Sequence, residues 1–301
     1  MEVYAYDPYG MGSNVPIQGA VPIQAYAPNQ MAGQRPIVVQ GQNVVLPQFV
    51  GIQYVLMQND PLTELETCTG VMIRQQPEFF ELFTGCETQN RYHVFGISPQ
   101  GYKYMFKCRE RSDFCMRNCC PSEMREFNME ISQILLNGQI KIFANAFKPF
   151  KCSCCCFNRP VIHVNVGDQP VGKIVHLFSC LDPEFQVFEG NGNLKYFVSA
   201  DCCQCGILCS KNICGKCSQA VFNIFEAGTN SIVATITKMP ASSYSEFVTD
   251  ADTYKITFPS GSTAYEKLLL IALGLMIDYQ YFETDENSNN GGHMRRRHYY
   301  Y

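Results

Sequence analysis

From Pro47 onward, short runs of Val, Ile, Phe, Tyr and Thr alternate with Gly, Asn and Asp, a pattern that predicts strands joined by turns. The clearest predicted strands are Arg91 to Ile97, Tyr102 to Cys108, Gln139 to Ala144, Val161 to Val166, Val171 to Leu177, Leu194 to Ser199, Ala220 to Glu226 and Ser231 to Lys238. Asn137-Gly138 and Gly190-Asn191-Gly192 have the composition of hairpin turns. Three cysteine clusters, centred on Cys115 to Cys120, Cys152 to Cys156 and Cys202 to Cys217, each fall between one strand and the next. Their uneven spacing excludes a solenoid of equal repeats. It predicts a recurring strand-loop-strand unit in one closed or nearly closed sheet.

The final element has a different period. Thr263-Ala264-Tyr265-Glu266 has capping-box form, so a helix starts there. The run that follows is Leu268, Leu269, Leu270, Ile271, Leu273, Leu275, Met276 and Ile277, with Ala272 and Gly274 between. It is apolar on every face and must be buried in protein or in lipid. Its ten residues cover about 15 Å, roughly half of a bilayer's hydrocarbon core. The longer span 264–282 approaches the required length only by including Glu266, Lys267, Asp278 and Gln280. Two environments stay open: a core helix surrounded by the sheet, or a single membrane pass.

Residues 1–45 show neither period. They are rich in Pro, Gln, Gly and Tyr, with Glu2, Asp7 and Arg35 the charged residues, and Val15-Pro16-Ile17-Gln18 recurs as Val21-Pro22-Ile23-Gln24. Such a segment is expected to be a disordered tether. The folded domain is then expected over 46–284, followed by a flexible tail over 285–301.

The net charge of −4 gives no basic surface for nucleic acid or for purely electrostatic membrane binding. The first residues lack a basic segment and an apolar run, so the 17 cysteines are expected in a reducing compartment and the protein is not expected to be secreted. No P-loop, G-x-S-x-G, H-E-x-x-H or dinucleotide fingerprint occurs, so an enzyme is not expected.

Cys152, Cys154, Cys155 and Cys156 lie between Phe150 and Phe157, with Lys148, Lys151 and Arg159 nearby. Exposed thiols beside apolar and basic residues suit palmitoylation, the aromatics entering the interface and the bases meeting headgroups. Metal binding and plain packing remain alternatives. Cys202-x2-Cys205 and Cys214-x2-Cys217 form two knuckles that suit Zn²⁺, although the gap between them is short and a thiol-rich loop is the alternative. Cys115, Cys119 and Cys120 make a weaker metal motif.

Several uncommon stretches occur in order along the chain: Ile73-Arg-Gln-Gln-Pro-Glu-Phe-Phe-Glu81, Thr84-Gly-Cys-Glu-Thr-Gln-Asn90, Cys115-Met-Arg-Asn-Cys-Cys-Pro121, Pro170-Val-Gly-Lys-Ile174, Phe247-Val-Thr-Asp-Ala-Asp-Thr-Tyr-Lys-Ile-Thr-Phe-Pro259 and Leu275-Met-Ile-Asp-Tyr-Gln-Tyr-Phe-Glu283. With the clusters at 151–156 and 202–205, they make the chain resemble the phospholipid scramblases. The resemblance implies a mainly β, tubby-like fold: a closed antiparallel barrel of about twelve strands around a central C-terminal helix. It also implies palmitoylation at 152–156, attachment at the cytoplasmic face of the plasma membrane, and Ca²⁺-dependent, bidirectional, non-selective movement of membrane phospholipids between leaflets. The family places a calcium loop at Asp250, Asp252, Tyr254 and Ile256. This loop departs from an EF-hand, with Lys255 where glycine is wanted and Gly261 where a carboxylate belongs. The tether lacks Pro-Pro-x-Tyr and P-x-x-P, and the Arg-rich tail has no counterpart in the family. The rival to lipid transport is a palmitoylated, membrane-tethered adaptor or signalling protein.

Overall fold

The computed structural model describes residues 36–39, 42–45, 55–56, 60–76, 89–98, 101–120, 124–135, 139–151, 158–179, 181–208, 219–229, 231–239 and 252–282. A hairpin comes first, β1 (Pro36–Val39) with β2 (Gln42–Val45). The segment expected to be a disordered tether thus closes with paired strands, each of four residues and too short for an alternation to be counted. Strand β3 (Val55–Leu56) and helix α1 (Pro61–Thr67) follow, the helix capped by Asp60.

Twelve strands then make the sheet: β4 (Gly70–Gln75), β5 (Arg91–Ser98), β6 (Gly101–Arg111), β7 (Phe127–Ile134), β8 (Ile140–Lys148), β9 (Val161–Val166), β10 (Gln169–His176), β11 (Glu184–Glu189), β12 (Leu194–Ser199), β13 (Ala220–Glu226), β14 (Ile232–Met239) and β15 (Thr253–Thr257). Neighbours in sequence pair antiparallel, β15 pairs with β4, and β6 pairs with β7. The sheet is therefore a closed, wholly antiparallel barrel, with β3 added parallel to β6. Alternation sets which side chains point inward: Ala220, Phe222 and Ile224 on β13 are buried, as are Tyr196 and Val198 on β12.

An eight-stranded barrel is filled by its own side chains, whereas twelve strands enclose room for more. Helix α4 (Ala264–Ile277) occupies that room, and every residue from Leu268 to Ile277 is buried. Its all-round apolarity follows, because sheet surrounds it on all sides. At Gly274 an added Cβ would stand 2.9 Å from Ile256 Cδ1 and 3.2 Å from Ile73 Cδ1, so glycine lets the helix close on β15 and β4. No helix among the described residues is long and apolar enough to cross a membrane. Of the two environments left open for the run, the interior of the sheet is the one found.

The charged flanks of α4 are satisfied inside the protein. Thr263 Oγ1 accepts from Glu266 N and Glu266 Oε2 accepts from Thr263 N, completing the capping box. Glu266 also accepts from Tyr196 Oη and lies 3.4 Å from Lys195 Nζ. Lys267 Nζ donates to the carbonyls of Leu65, Glu66 and Cys68, the last turn of α1 and its cap. After Ile277 the helix widens into a π-helical turn, Asp278–Phe282.

Candidate functional site

Up-and-down closure sends alternate connections to opposite ends of the barrel. Five short links and the entrance to α4 lie at one end. Six long connections lie at the other, over 76–90, 112–126, 149–160, 177–183, 200–219 and 240–252. Fifteen of the 17 cysteines fall in these six connections. The exceptions, Cys68 and Cys108, are buried, and burial pushes the Cys108 thiol up to about 12, which makes it inert. The connections that carry the three clusters thus all leave and re-enter strands at one end of the barrel.

That end also carries exposed apolar side chains. Phe114 on helix α2 (Phe114–Cys119) is 56% exposed, Phe150 50%, Phe178 38% and Leu181 65%. Cys115 is exposed beside Phe114. Residues 152–157, which include all four expected palmitoylation sites, lie outside the described residues. Their basic flank is only partly free. Lys148 follows Ala144 and Ala146 on the inward face of β8 and is wholly buried, its Nζ donating to the Arg125 carbonyl at 2.6 Å. Alternation therefore removes Lys148 from the headgroup contact expected of it. Lys151 Nζ donates to the Arg159 carbonyl at 3.3 Å, and the Arg159 guanidinium is turned toward His176.

The turn Asp278–Phe282 reaches this same end and is tied down there. Asp278 accepts from Tyr92 Oη on β5 and Tyr254 Oη on β15. Arg125 Nε donates to the Tyr279 hydroxyl, with the guanidinium 4.7 Å from the ring centre. Arg159 Nη2 lies 2.8 Å from His176 Nδ1 and 3.1 Å from Nε2, and donates to the ring. Tyr281 Oη lies 2.8 Å from His176 Nε2. Burial, with Arg159 second, pushes the His176 pKa down to about 3, so the ring is neutral.

Of the four expected calcium residues, three are described. Asp250 lies outside the described residues. Asp252 Oδ2 is 2.5 Å from Lys238 Nζ, which also lies 3.8 Å from the centre of the Phe282 ring. Tyr254 and Ile256 are buried in β15, between β14 and β4. Of the expected zinc residues, Cys202 lies in a turn after β12 and Cys205 opens the short helix α3 (Cys205–Leu208), while Cys214 and Cys217 lie outside the described residues. Sequence reasoning missed Asp201 and Cys203, which flank Cys202 and bring their ligand atoms close to it. A doublet of cysteines after an aspartate was the available signal.

The family profile described as Scramblase matches residues 51–284, which takes in the whole barrel and the enclosed helix. The chain belongs to the scramblase family. It is 26% identical over 220 residues to phospholipid scramblase 1 of Rattus norvegicus, covering 72% of this chain and 61% of that protein. It is 27% identical over 227 residues to phospholipid scramblase 1 of Homo sapiens, covering 74% and 66%. It is 26% identical over 217 residues to phospholipid scramblase 2 of Bos taurus, covering 71% and 68%. The matched part spans 61% and 62% of the rat and mouse relatives, so less than two thirds of their length is represented. In this scramblase-family chain, the barrel of twelve strands around a C-terminal helix is the architecture that the motifs led one to expect.

Proposed function

We propose that the chain is a phospholipid scramblase, a protein that moves phospholipids between membrane leaflets rather than a catalyst of covalent chemistry. The observation that carries this reading is the family match over residues 51–284, which spans the complete barrel and its helix. Fifteen cysteines fall in the six connections that leave one end of the barrel, and this supports attachment of that end to the cytoplasmic face of the plasma membrane, although Ile140, Ile142, Leu194 and Ile232 are exposed toward the other end. Palmitate on Cys152, Cys154, Cys155 and Cys156 is the anchor in this reading. Transport is bidirectional, non-selective and triggered by Ca²⁺ at Asp250 and Asp252.

One observation favours a second reading, a palmitoylated adaptor that moves no lipid. Helix α4 fills the barrel, with Leu268 to Ile277 buried, so the interior offers no path for a headgroup. Scrambling would have to proceed along the outside of the protein. Liposomes containing the full chain and a fluorescent phospholipid separate the two. Ca²⁺-dependent loss of inner-leaflet fluorescence to an external quencher supports scrambling. Fluorescence that stays protected in half of the lipid, with and without Ca²⁺, sinks it in favour of the adaptor.

A further inference from the structure

The β12–β13 connection opens with Asp201, Cys202 and Cys203, whose backbone is held by two carboxyl groups. Asp201 Oδ1 accepts from Cys203 N at 2.8 Å. Asp182 Oδ1, on the neighbouring β10–β11 connection, accepts from Cys202 N at 2.9 Å. In this turn the two sulfurs stand 3.8 Å apart. One ligand atom from each of Asp201, Cys202 and Cys203 lies within 4.8 Å of the other two, a grouping unique among the described residues.

The sulfur separation is informative. A disulfide requires about 2.05 Å, so these thiols are not poised at bonding distance. Two thiolates on one tetrahedral ion, each bonded at about 2.3 Å, span an edge of about 3.8 Å. A thiol–thiol hydrogen bond has a similar length but gives no role to a third donor. The Asp201 carboxyl supplies one.

We propose that Asp201, Cys202 and Cys203 form a three-ligand site for a borderline-soft divalent cation of the zinc class. Thiolate ligands select such an ion over Ca²⁺ or Mg²⁺, which prefer oxygen alone. Binding exchanges two S–H bonds for two metal–sulfur bonds and releases two protons to solvent. Three protein donors leave the fourth tetrahedral position open. Cys203 and Asp201 are exposed, so the ion enters directly from solvent. The site shares Cys202 with the two C-x2-C knuckles and replaces Cys205, Cys214 and Cys217 by the residues beside it.

The test titrates Co²⁺ alone into the full chain under a phosphine reductant, with Cys152, Cys154, Cys155 and Cys156 changed to serine so that their thiols do not compete. Thiolate-to-cobalt charge-transfer absorption and the visible bands of tetrahedral Co²⁺ report sulfur ligation, and Zn²⁺ is expected to bleach both. Cys202→Ser and Cys203→Ser are each expected to weaken binding at least about 100-fold, and Asp182→Asn, which loosens the turn, by about tenfold. The double variant Cys214→Ser/Cys217→Ser is expected to bind as before. Far-ultraviolet circular dichroism confirms that each variant keeps its fold. The proposal is overturned if the starting protein shows no thiolate band, or if Cys203→Ser binds unchanged. It is equally overturned if the Cys214→Ser/Cys217→Ser variant loses the ion, which would assign it to the knuckles.

Discussion

The hydroxyl of Tyr254 on β15 donates to the carboxyl of Asp278, at the end of the enclosed helix, across 2.6 Å. Tyr92 on β5 donates to the other oxygen at 2.5 Å. Burial, followed by the charge of Asp278, holds the Tyr254 phenol well above its ordinary range, so it stays a donor. Tyr254→Phe keeps the ring and removes one of the two donors. It is expected to cost about 1.5–3 kcal/mol, the range for a buried hydrogen bond to a charged group. Urea denaturation should show a lower midpoint with an unchanged slope, and an unchanged midpoint would refute the role of this bond.

Lys267 performs a comparable task at the opposite end. Its Nζ donates to three carbonyls at the C-terminal end of α1, at 3.2, 2.8 and 3.0 Å. A cation there also opposes the negative end of that short helix. Lys267→Met keeps the apolar stem and leaves buried carbonyls unpaired, for an expected loss of about 2–3 kcal/mol. Amide exchange should accelerate first over residues 61–69, ahead of the barrel strands. Uniform acceleration through the barrel would mean that Lys267 serves the core at large.

Two buried histidines make the fold acid-sensitive. Burial, with Lys107 and Arg91 adding to it, pushes His93 down to about 3, and His176 is held at the same value beside Arg159. An unfolded histidine titrates near 6.5, so below that pH the unfolded chain takes up protons that the folded chain refuses. The stability at stake is intact above pH 6.5 and is lost progressively toward pH 3. At pH 5 the loss is about 2 kcal/mol per histidine. His93→Gln keeps hydrogen-bonding capacity toward Tyr104 and Gln76 without titrating. The slope of stability against pH between 6 and 4 should fall by up to one proton in this variant, and an unaltered slope would remove His93 as a cause.

Much of the barrel was legible because its strands obey a period of two. Val161–Val166, Leu194–Ser199 and Ala220–Glu226 have the bounds expected from pattern alone. Strand β4 was harder to read, since Gly70 to Ile73 are buried without alternation. The environment of α4 could not be decided from composition, because sheet interior and lipid demand the same residues. What decided it was long-range: Tyr92 and Tyr196 lie 186 and 70 positions from the helix residues they satisfy. That the connections carrying the cysteine clusters all leave one barrel end was equally hidden, because it follows from strand direction and not from any local motif.

Asp252 is already neutralised by Lys238, 2.5 Å away, and any Ca²⁺ at this loop must displace that ammonium. The lysine is largely buried and the aspartate partly so, but the pair is near enough to solvent that its strength is at most about 1 kcal/mol. Lys238→Met is therefore expected to tighten Ca²⁺ binding by up to about fivefold, while Asp252→Ala abolishes it. Isothermal titration of both variants beside the starting protein measures this. Equal affinity in all three would remove Asp252 as a ligand.

Enclosure of Leu268 to Ile277 in the barrel means that this run gives the protein no hold on a bilayer. In the proposed function, attachment then depends on acyl chains at Cys152, Cys154, Cys155 and Cys156. One acyl chain binds a membrane only marginally, with an association constant of about 10⁴ M⁻¹, whereas two hold stably. The response to thiol removal should accordingly be a threshold. Each single Cys→Ser variant is expected to stay in the membrane fraction of cells, because three sites remain. The quadruple serine variant should appear in the soluble fraction with its barrel intact, shown by an unchanged thermal midpoint. Leu273→Asp provides the contrast: it buries a charge in the core and should unfold the protein rather than release it. A quadruple variant that stayed wholly membrane-bound would show that another part of the same barrel end holds the bilayer, and the cysteine anchor would have to be abandoned.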